Sequence, residues 1–341
     1  MIPVFDGHND ALTCEDAHLL ASGRPGGHLD LPRMRAGGIR GAIFSVFSPS
    51  PGSDADPVAR ADGVLEIPIA AELPYTSAVS HAARAAGRLV SLERAGEVRI
   101  ARSAGDLDAA FAHGGPPAAV LHLEGAEAID EQLESLDLWY AAGLRSLGPV
   151  WSRSNAFAHG VPFVSPSSPD TGPGLTDAGR ALVRACAELG IAVDLSHLNE
   201  AGFWDVARAE LGPLIASHSA VHALCPTSRN LTDRQLDAIG DSGGLVGIVY
   251  ACPFLREDFS EDIDTPLSAI ARHAAYVAER IGVEHVGLGS DFDGATIPAA
   301  LGDAAGVPRL LEELRSAGMD EAELEAIAWR NWRRVLGAWW H

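Results

Sequence analysis

The chain contains no lysine. All 25 of its basic residues are arginine, set against 46 Asp and Glu, for a formal net charge of −21 over 341 residues. That absence removes a Schiff-base or pyridoxal-phosphate lysine, a P-loop lysine and a carbamylated lysine bridging two metals. Positive charge is scarce in general, which argues against nucleic acid or an anionic membrane as partner, since both select basic patches. Long apolar runs are missing as well: no stretch approaches the roughly 20 residues that span a bilayer. The opening residues Met1–Asp6 show neither a basic stretch nor the long apolar core of a secretory signal. Cysteine is sparse, with Cys14, Cys186, Cys225 and Cys252 far apart and no C-x-x-C pair, so free, mostly packing thiols are expected. The expected location is the cytoplasm.

What is present is an ordinary globular composition, 47% hydrophobic and 21% charged. Short runs rich in Val, Ile and Leu recur at Ile2–Phe5, Ile39–Phe47, Ala118–Leu123, Leu144–Val150, Ile191–Leu195, Leu214–Ala216, Leu245–Tyr250 and His285–Leu288. Helical patterns lie between them, at Val58–Ala86, Glu131–Ala142, Thr176–Leu189, Glu200–Leu211, Thr232–Ser242 and Pro266–Ile281. Thr176 reads as an N-cap and Gly190 as a stop. Near-continuous apolar strands alternating with helices indicate a parallel sheet, and eight such units fit a (β/α)8 TIM barrel, with a doubly wound open sheet as the alternative. Gly160–Gly174 reads as a long loop after the fourth strand. The whole chain, 1–341, is read as a single barrel metallohydrolase domain with C-terminal helices from about 306–337.

Metal-capable residues fall in a pattern relative to these strands. His8 and Asp10 follow the first, Glu124 the third, His197 the fifth, His218 the sixth and Asp291 the eighth. All lie at C-terminal strand ends, the active-site face of such a barrel. Residues two apart on an extended segment point to one side, so His8 and Asp10 can hold one cation together. Three imidazoles and a set of carboxylates suit zinc. Six such residues exceed one tetrahedral site, which suggests two metals, with Glu124 as the bridge that lysine cannot provide here. Taken singly, Asp10 reads equally as an N-cap, Glu124 as a first-turn helix acid, His197 and His218 as buried histidines, and Asp291 and Asp293 as turn caps beside Gly294. Their conjunction at the strand ends favours a site. His28, His81, His113 and His273 are expected at the surface, and His122 is expected to face the helix layer. His222, four residues beyond His218, is not expected to be a ligand.

The segments D-G-H-N-D at Asp6–Asp10, L-E-G at Leu123–Gly125, D-L-S-H at Asp194–His197, S-H-S at Ser217–Ser219, R-N-L at Arg229–Leu231 and G-S-D-F-D-G at Gly289–Gly294 together resemble the membrane dipeptidase (renal dipeptidase) family of zinc peptidases. The resemblance covers essentially the whole chain. It implies a barrel of the metal-dependent amidohydrolase type with two zinc ions per subunit: His8 and Asp10 on one, His197 and His218 on the other, and Glu124 bridging both. Arg229 would hold the substrate's C-terminal carboxylate, which suits its planar fork. Asp291 would move protons, first from the water and then to the leaving amine. The resemblance further implies a homodimer that cleaves dipeptides and tolerates a D-residue at the C-terminal position.

One position departs from that family. After the fourth strand it usually carries a histidine in a T-H-N context, thought to polarise the scissile carbonyl, whereas G-P-V-W-S-R-S-N puts Trp151 there. An indole N–H donates one hydrogen bond and does not titrate. Either Trp151 reshapes the substrate pocket and a metal alone polarises the carbonyl, or another group substitutes, with His159 and Arg153 as the candidates. The expected activity is a zinc dipeptidase working by attack of a metal-bridging hydroxide, with Glu124 and Asp291 as its catalytic carboxylates. The alternative is another metal-dependent amidohydrolase acting on lactones, cyclic amides or N-acyl amino acids. A non-catalytic binding protein is disfavoured by the complete ligand set.

Overall fold

The computed structural model describes residues 2–50, 58–67, 69–112 and 115–340, so His113 lies outside the described residues. Eight strands carry the fold: β1 (Val4–Asn9), β2 (Ile39–Phe47), β3 (Ala118–Glu124), β4 (Leu144–Gly148), β5 (Ala192–Val193), β6 (Ile215–Ser219), β7 (Leu245–Ile248) and β8 (Val286–Leu288). They bond in the order β6-β7-β8-β1-β2-β3-β4-β5. Every neighbouring pair is parallel. The ring closes through a parallel bridge between Asp194 and Ile215, where Leu195 N donates to Ile215 O at 2.8 Å. This is the (β/α)8 barrel, not the open sheet. Its strands are buried on both faces; β3, for example, is buried at every position from Ala118 to Glu124.

The crossovers follow their sequence signals. Thr176 Oγ1 accepts from Gly179 N and Gly190 ends the helix Asp177–Leu189 at φ 73°. Asn199 caps Glu200–Ala209 in the same way, and Thr232 with Gln235 forms a capping box on Asp233–Asp241. One expectation fails. Val58–Ala86 is not one helical crossover: Val58–Ala59 and Leu65–Ile67 form a hairpin around a turn, and the helix begins only at Tyr75 and runs to Arg94. Gly63, at φ 84°, breaks the pattern where an Ala-rich composition had concealed a turn. Leu65–Ile67 also pairs antiparallel with Phe163–Ser165, inside the segment read as a plain loop, making a three-stranded sheet apart from the barrel.

The end of the barrel where the strands begin is filled from the C-terminal helix Asn331–Trp339. Trp332 is fully buried among the strands, packs at a tilt with its ring 5.5 Å from that of Phe5 and donates its indole N–H to Leu288 O at 2.9 Å. Gly7 and Gly287 make room for it, since a Cβ on either would collide with the indole. Asn331 pins the same helix, donating from Nδ2 to Val283 O and Val286 O, both at 2.8 Å. All four cysteines are free, and three are buried. His273 corrects another expectation: it is buried, with Nδ1 accepting from Val221 N at 3.0 Å, because its helix turns that face onto the loop after β6. Among the described residues, no helix is long and apolar enough to cross a membrane.

Candidate active site

The C-terminal strand ends bring His8, Asp10, Glu124, His197, His218 and Asp291 together. Ligand-type atoms of His8, Asp10 and Glu124 lie within 4.8 Å of one another, as do those of Glu124, His197 and His218, and of His8, His218 and Asp291. Glu124 stands between two sets. Its Oε2 is 3.6 Å from His8 Nε2, while its Oε1 is 3.0 Å from His197 Nε2 and 3.5 Å from His218 Nε2. His197 Nε2 and His218 Nε2 approach to 2.9 Å, and Asp10 Oδ2 is 3.4 Å from His8 Nε2. Two of these residues sit where the chain leaves its strand in the left-handed region, His197 at φ 67° and Asp291 at φ 61°. Histidine and aspartate tolerate that conformation better than most residues, and it turns their side chains back over the barrel.

The donor set fits a divalent metal. His8 Nε2 and Asp10 Oδ1 are buried and have no hydrogen-bond partner among the described residues. Stranded donors and acceptors of this kind are costly unless something else binds them. The outward ring nitrogens of two histidines are held from behind, as metal-binding imidazoles require. Ser152 Oγ lies 2.8 Å from His197 Nδ1, and Ser217 Oγ lies 2.8 Å from His218 Nδ1. Ser217 Oγ in turn donates to Asp194 Oδ2. Ser45 Oγ donates to Glu124 Oε2 at 3.2 Å. These supporting serines were not singled out in the sequence, although Ser217 sits inside S-H-S.

Electrostatics divide the cluster. Burial works against a charged His8, yet Glu124 and Asp10 hold it well above the ordinary imidazole range. Glu124 is held well below the carboxylate range by His8 and His197 in spite of its burial. Burial lowers His197 to about 4. Burial, with Asp10 and Glu124 adding to it, pushes Asp291 up to about 7.

His122 is a correction. It stands two positions before Glu124, so the pleat sends both side chains inward rather than one to the helix layer. Its ring packs edge-on to His8 at 5.7 Å, with Nδ1 2.9 Å from Ser146 Oγ and Nε2 3.7 Å from Asp194 Oδ2. His222 stays outside, with Nε2 2.7 Å from Ser167 O. Asp293 serves structure: its carboxylate accepts from Arg24 Nη1 at 2.6 Å and from His28 N at 2.7 Å, tying the loop after β1 to the end of β8.

A cavity of about 780 Å³ opens onto the cluster, its lining including Asp10, Glu124 and Asp291 together with Phe47, Trp151, Phe163 and Phe254. His28, expected at the surface, lines it, because the Asp293 contacts fold its loop inward. Trp151 lies 5.7 Å from the His197 ring. His159 does not line the cavity; its Nδ1 lies 3.0 Å from Ser154 Oγ. Arg153 is also elsewhere, fully buried on Glu127 at 2.8 Å. Arg229 is buried beside the cluster, donating from Nη1 to Ser219 Oγ and from Nη2 to His218 O, both at 2.8 Å. Its Nε has no partner, and among the described residues no carboxylate is within ion-pair distance of it. Burial lowers its guanidinium to about 10.

Residues 1–339 match the profile of the membrane dipeptidase family, peptidase family M19. A solved dipeptidase described as a metallopeptidase of family M19 superposes with a TM-score of 0.92 at 44% identity, over 100% of this chain and 99% of that one. A metallopeptidase from Rhodobacter sphaeroides, solved with a phosphinate mimic of the dipeptide L-Ala-D-Ala, gives 0.93 at 44% identity over 99% of each chain. Dipeptidase ataJ of Aspergillus terreus is 30% identical over 365 residues, 98% of this chain and 84% of that protein. A match of that extent, on a barrel whose strand ends gather this donor set, makes the chain a metallopeptidase belonging to the membrane dipeptidase family.

Proposed function

We propose that the protein is a zinc-dependent dipeptidase, built as one barrel domain and acting on L-L and L-D dipeptides. The observation that carries this reading is Arg229. A buried cation without a carboxylate partner, next to a metal-ready cluster, calls for an anionic group on the ligand. A dipeptide's free C-terminal carboxylate supplies one, and Arg229 offers its unpartnered Nε to receive it, with Nη1 and Nη2 holding the guanidinium in place on Ser219 Oγ and His218 O. Holding that carboxylate sets the last peptide bond of a very short chain over the cluster. The L-Ala-D-Ala mimic bound by the Rhodobacter sphaeroides enzyme supports the choice of substrate.

Two zinc ions would be held by His8 and Asp10 on one side and by His197 and His218 on the other, with the two Glu124 oxygens turned toward separate sets. Bound there, they would supply a water acidified to near-neutral pKa and a Lewis acid for the carbonyl. Asp291 takes the proton released as water adds to the carbonyl carbon and delivers it to the amine nitrogen as the C–N bond breaks. Asp291 suits that transfer by its place, since its carboxylate lies within 4.8 Å of the His8 and His218 ring nitrogens at the edge of the cavity. Ser152 and Ser217 keep His197 and His218 in the tautomer whose Nε2 lone pair faces the cluster. Trp151 keeps bulk water from the His197 side of the cavity.

The four free cysteines support a reducing compartment such as the cytoplasm. A homodimer rests on the family resemblance alone. The test is elemental analysis of the purified protein together with a panel of L-L and L-D dipeptides, N-acyl amino acids and lactones. Divalent metal and dipeptide hydrolysis are expected. Replacement of Arg229 by Met should cost at least about 100-fold in kcat/KM for dipeptides. Absence of bound divalent metal, or an Arg229→Met enzyme of full activity, would overturn the reading.

A further inference from the structure

One wall of the cavity is a continuous row of aromatic rings. Phe47 and Trp151 are 4.8 Å apart by ring centroid, Trp151 and Phe163 5.7 Å, and Phe163 and Phe254 5.7 Å. These are the separations of packed aromatic pairs. The row starts beside the proposed carboxylate anchor, where the Arg229 guanidinium carbon lies 5.7 Å over the Phe254 ring. It then runs past His197, which is 6.0 Å from Phe163 and 5.7 Å from Trp151. The three-stranded sheet extends it, since Ile67 is the cross-strand partner of Phe163 and lines the same cavity. Phe47, Ile67, Trp151 and Phe163 are all only half-buried. Four incompletely covered apolar side chains lining one cavity are what a ligand covers. The lining also includes Asp291, Asp293 and Glu261 and, among the described residues lining the cavity, no arginine. With Arg229 taken by the C-terminal carboxylate, an acidic side chain along this wall would meet no free cation among the described lining residues.

We infer that the cavity is shaped for dipeptides carrying a bulky apolar side chain, with Trp151 and Phe163 as its specificity-determining residues. The inference rests on the dipeptidase reading. About 780 Å³ is well beyond what two methyl side chains fill and lies within the range of pockets that enclose drug-sized ligands.

The experiment compares kcat/KM of the metal-loaded enzyme for L-Ala-D-Ala, L-Phe-D-Ala, L-Ala-D-Phe, L-Glu-D-Ala and L-Ala-D-Glu. At least one aromatic dipeptide should exceed L-Ala-D-Ala by about tenfold or more, and the acidic ones should fall below it. The two aromatic substrates show which residue of the dipeptide meets the wall. Trp151→Ala, and separately Phe163→Ala, should bring the aromatic-to-alanine ratio back toward one, a readout that a uniform loss of folding or metal would not move. Equal rates across the panel, a preference for acidic side chains, or an unchanged ratio in both variants would overturn the inference. Failure to hydrolyse any dipeptide would instead overturn the reading on which it rests.

Discussion

Where the barrel strands begin, Trp332 fills the interior with its indole N–H donating to Leu288 O, and Asn331 occupies two further carbonyls. A few residues further along the same strands, His8 Nε2, Asp10 Oδ1 and, beside them, Arg229 Nε lie buried without partners. On β1 the change falls between Gly7, against the indole, and His8, in the cluster. Stability and chemistry are thus separated by height in the barrel. Below the cluster Trp332 and Asn331 find protein partners for their polar atoms, whereas in the cluster itself several are left for a ligand.

The strongest test of that division is Glu124→Gln. It should reduce turnover by at least about 100-fold, because even outer-sphere partners of a metal site cost 10–100-fold. Metal content should fall with it while far-UV circular dichroism stays that of the intact barrel, and an unchanged rate would exclude Glu124 from the site. Trp332→Ala is the converse. Loss of a fully buried tryptophan should cost about 3–5 kcal/mol in urea unfolding. The metal content of the folded fraction should not change, and a loss of metal with no loss of stability would break the division.

Histidines sharpen the same contrast. His273 is as buried as His8, but Nδ1 accepts from Val221 N and Nε2 lies 3.4 Å from Leu255 O. Burial lowers it to about 4, below the unfolded value near 6.5. The unfolded chain therefore binds the proton first. The stability that neutral His273 supports is complete above about pH 6.5 and is lost as pH falls toward 4, amounting to about 3 kcal/mol. His273→Asn keeps an acceptor for Val221 and should flatten that slope in pH-dependent urea melts, whereas an identical slope would remove His273 as its source. The smallest effect is expected from Asp194→Asn, which weakens the support of His218 through Ser217. Metal affinity measured by competition with a chelator should drop about tenfold to a hundredfold.

Much of this was legible in the chain. Strands with near-continuous Val, Ile and Leu are buried on both faces, so their run lengths mark them directly; β2 is Ile39–Phe47 in both readings. Ligand positions followed, because they stand at fixed offsets from those runs. His122 was misplaced although its spacing from Glu124 is even, and period two alone would have turned it inward. His273 lies on a helix that is apolar over most of one side, and only its docking onto the loop at Val221 decides its burial. The aromatic wall could not be read from sequence. Phe47 ends a strand, Trp151 lies in a loop, Phe163 opens a strand and Phe254 sits in the short helix Cys252–Leu255, with no periodicity to join them. Trp332 left a faint signal, since Gly7, Gly247 and Gly287 all yield space to it, but which tryptophan they admit is a matter of tertiary packing.

The position of that tryptophan also orders events in time. Phe5 and Trp332 touch across nearly the whole length of the sequence, and β1 is bonded on both sides, to β2 and to β8. Synthesis proceeds from the N-terminus, so β1 waits with one edge unpaired until the last strand and the helix after it have been made. Contacts this distant carry the largest loop-closure cost and form late. The full set of metal donors therefore exists only once the two ends of the chain have met, because His8 and Asp10 leave the first strand and Asp291 the eighth.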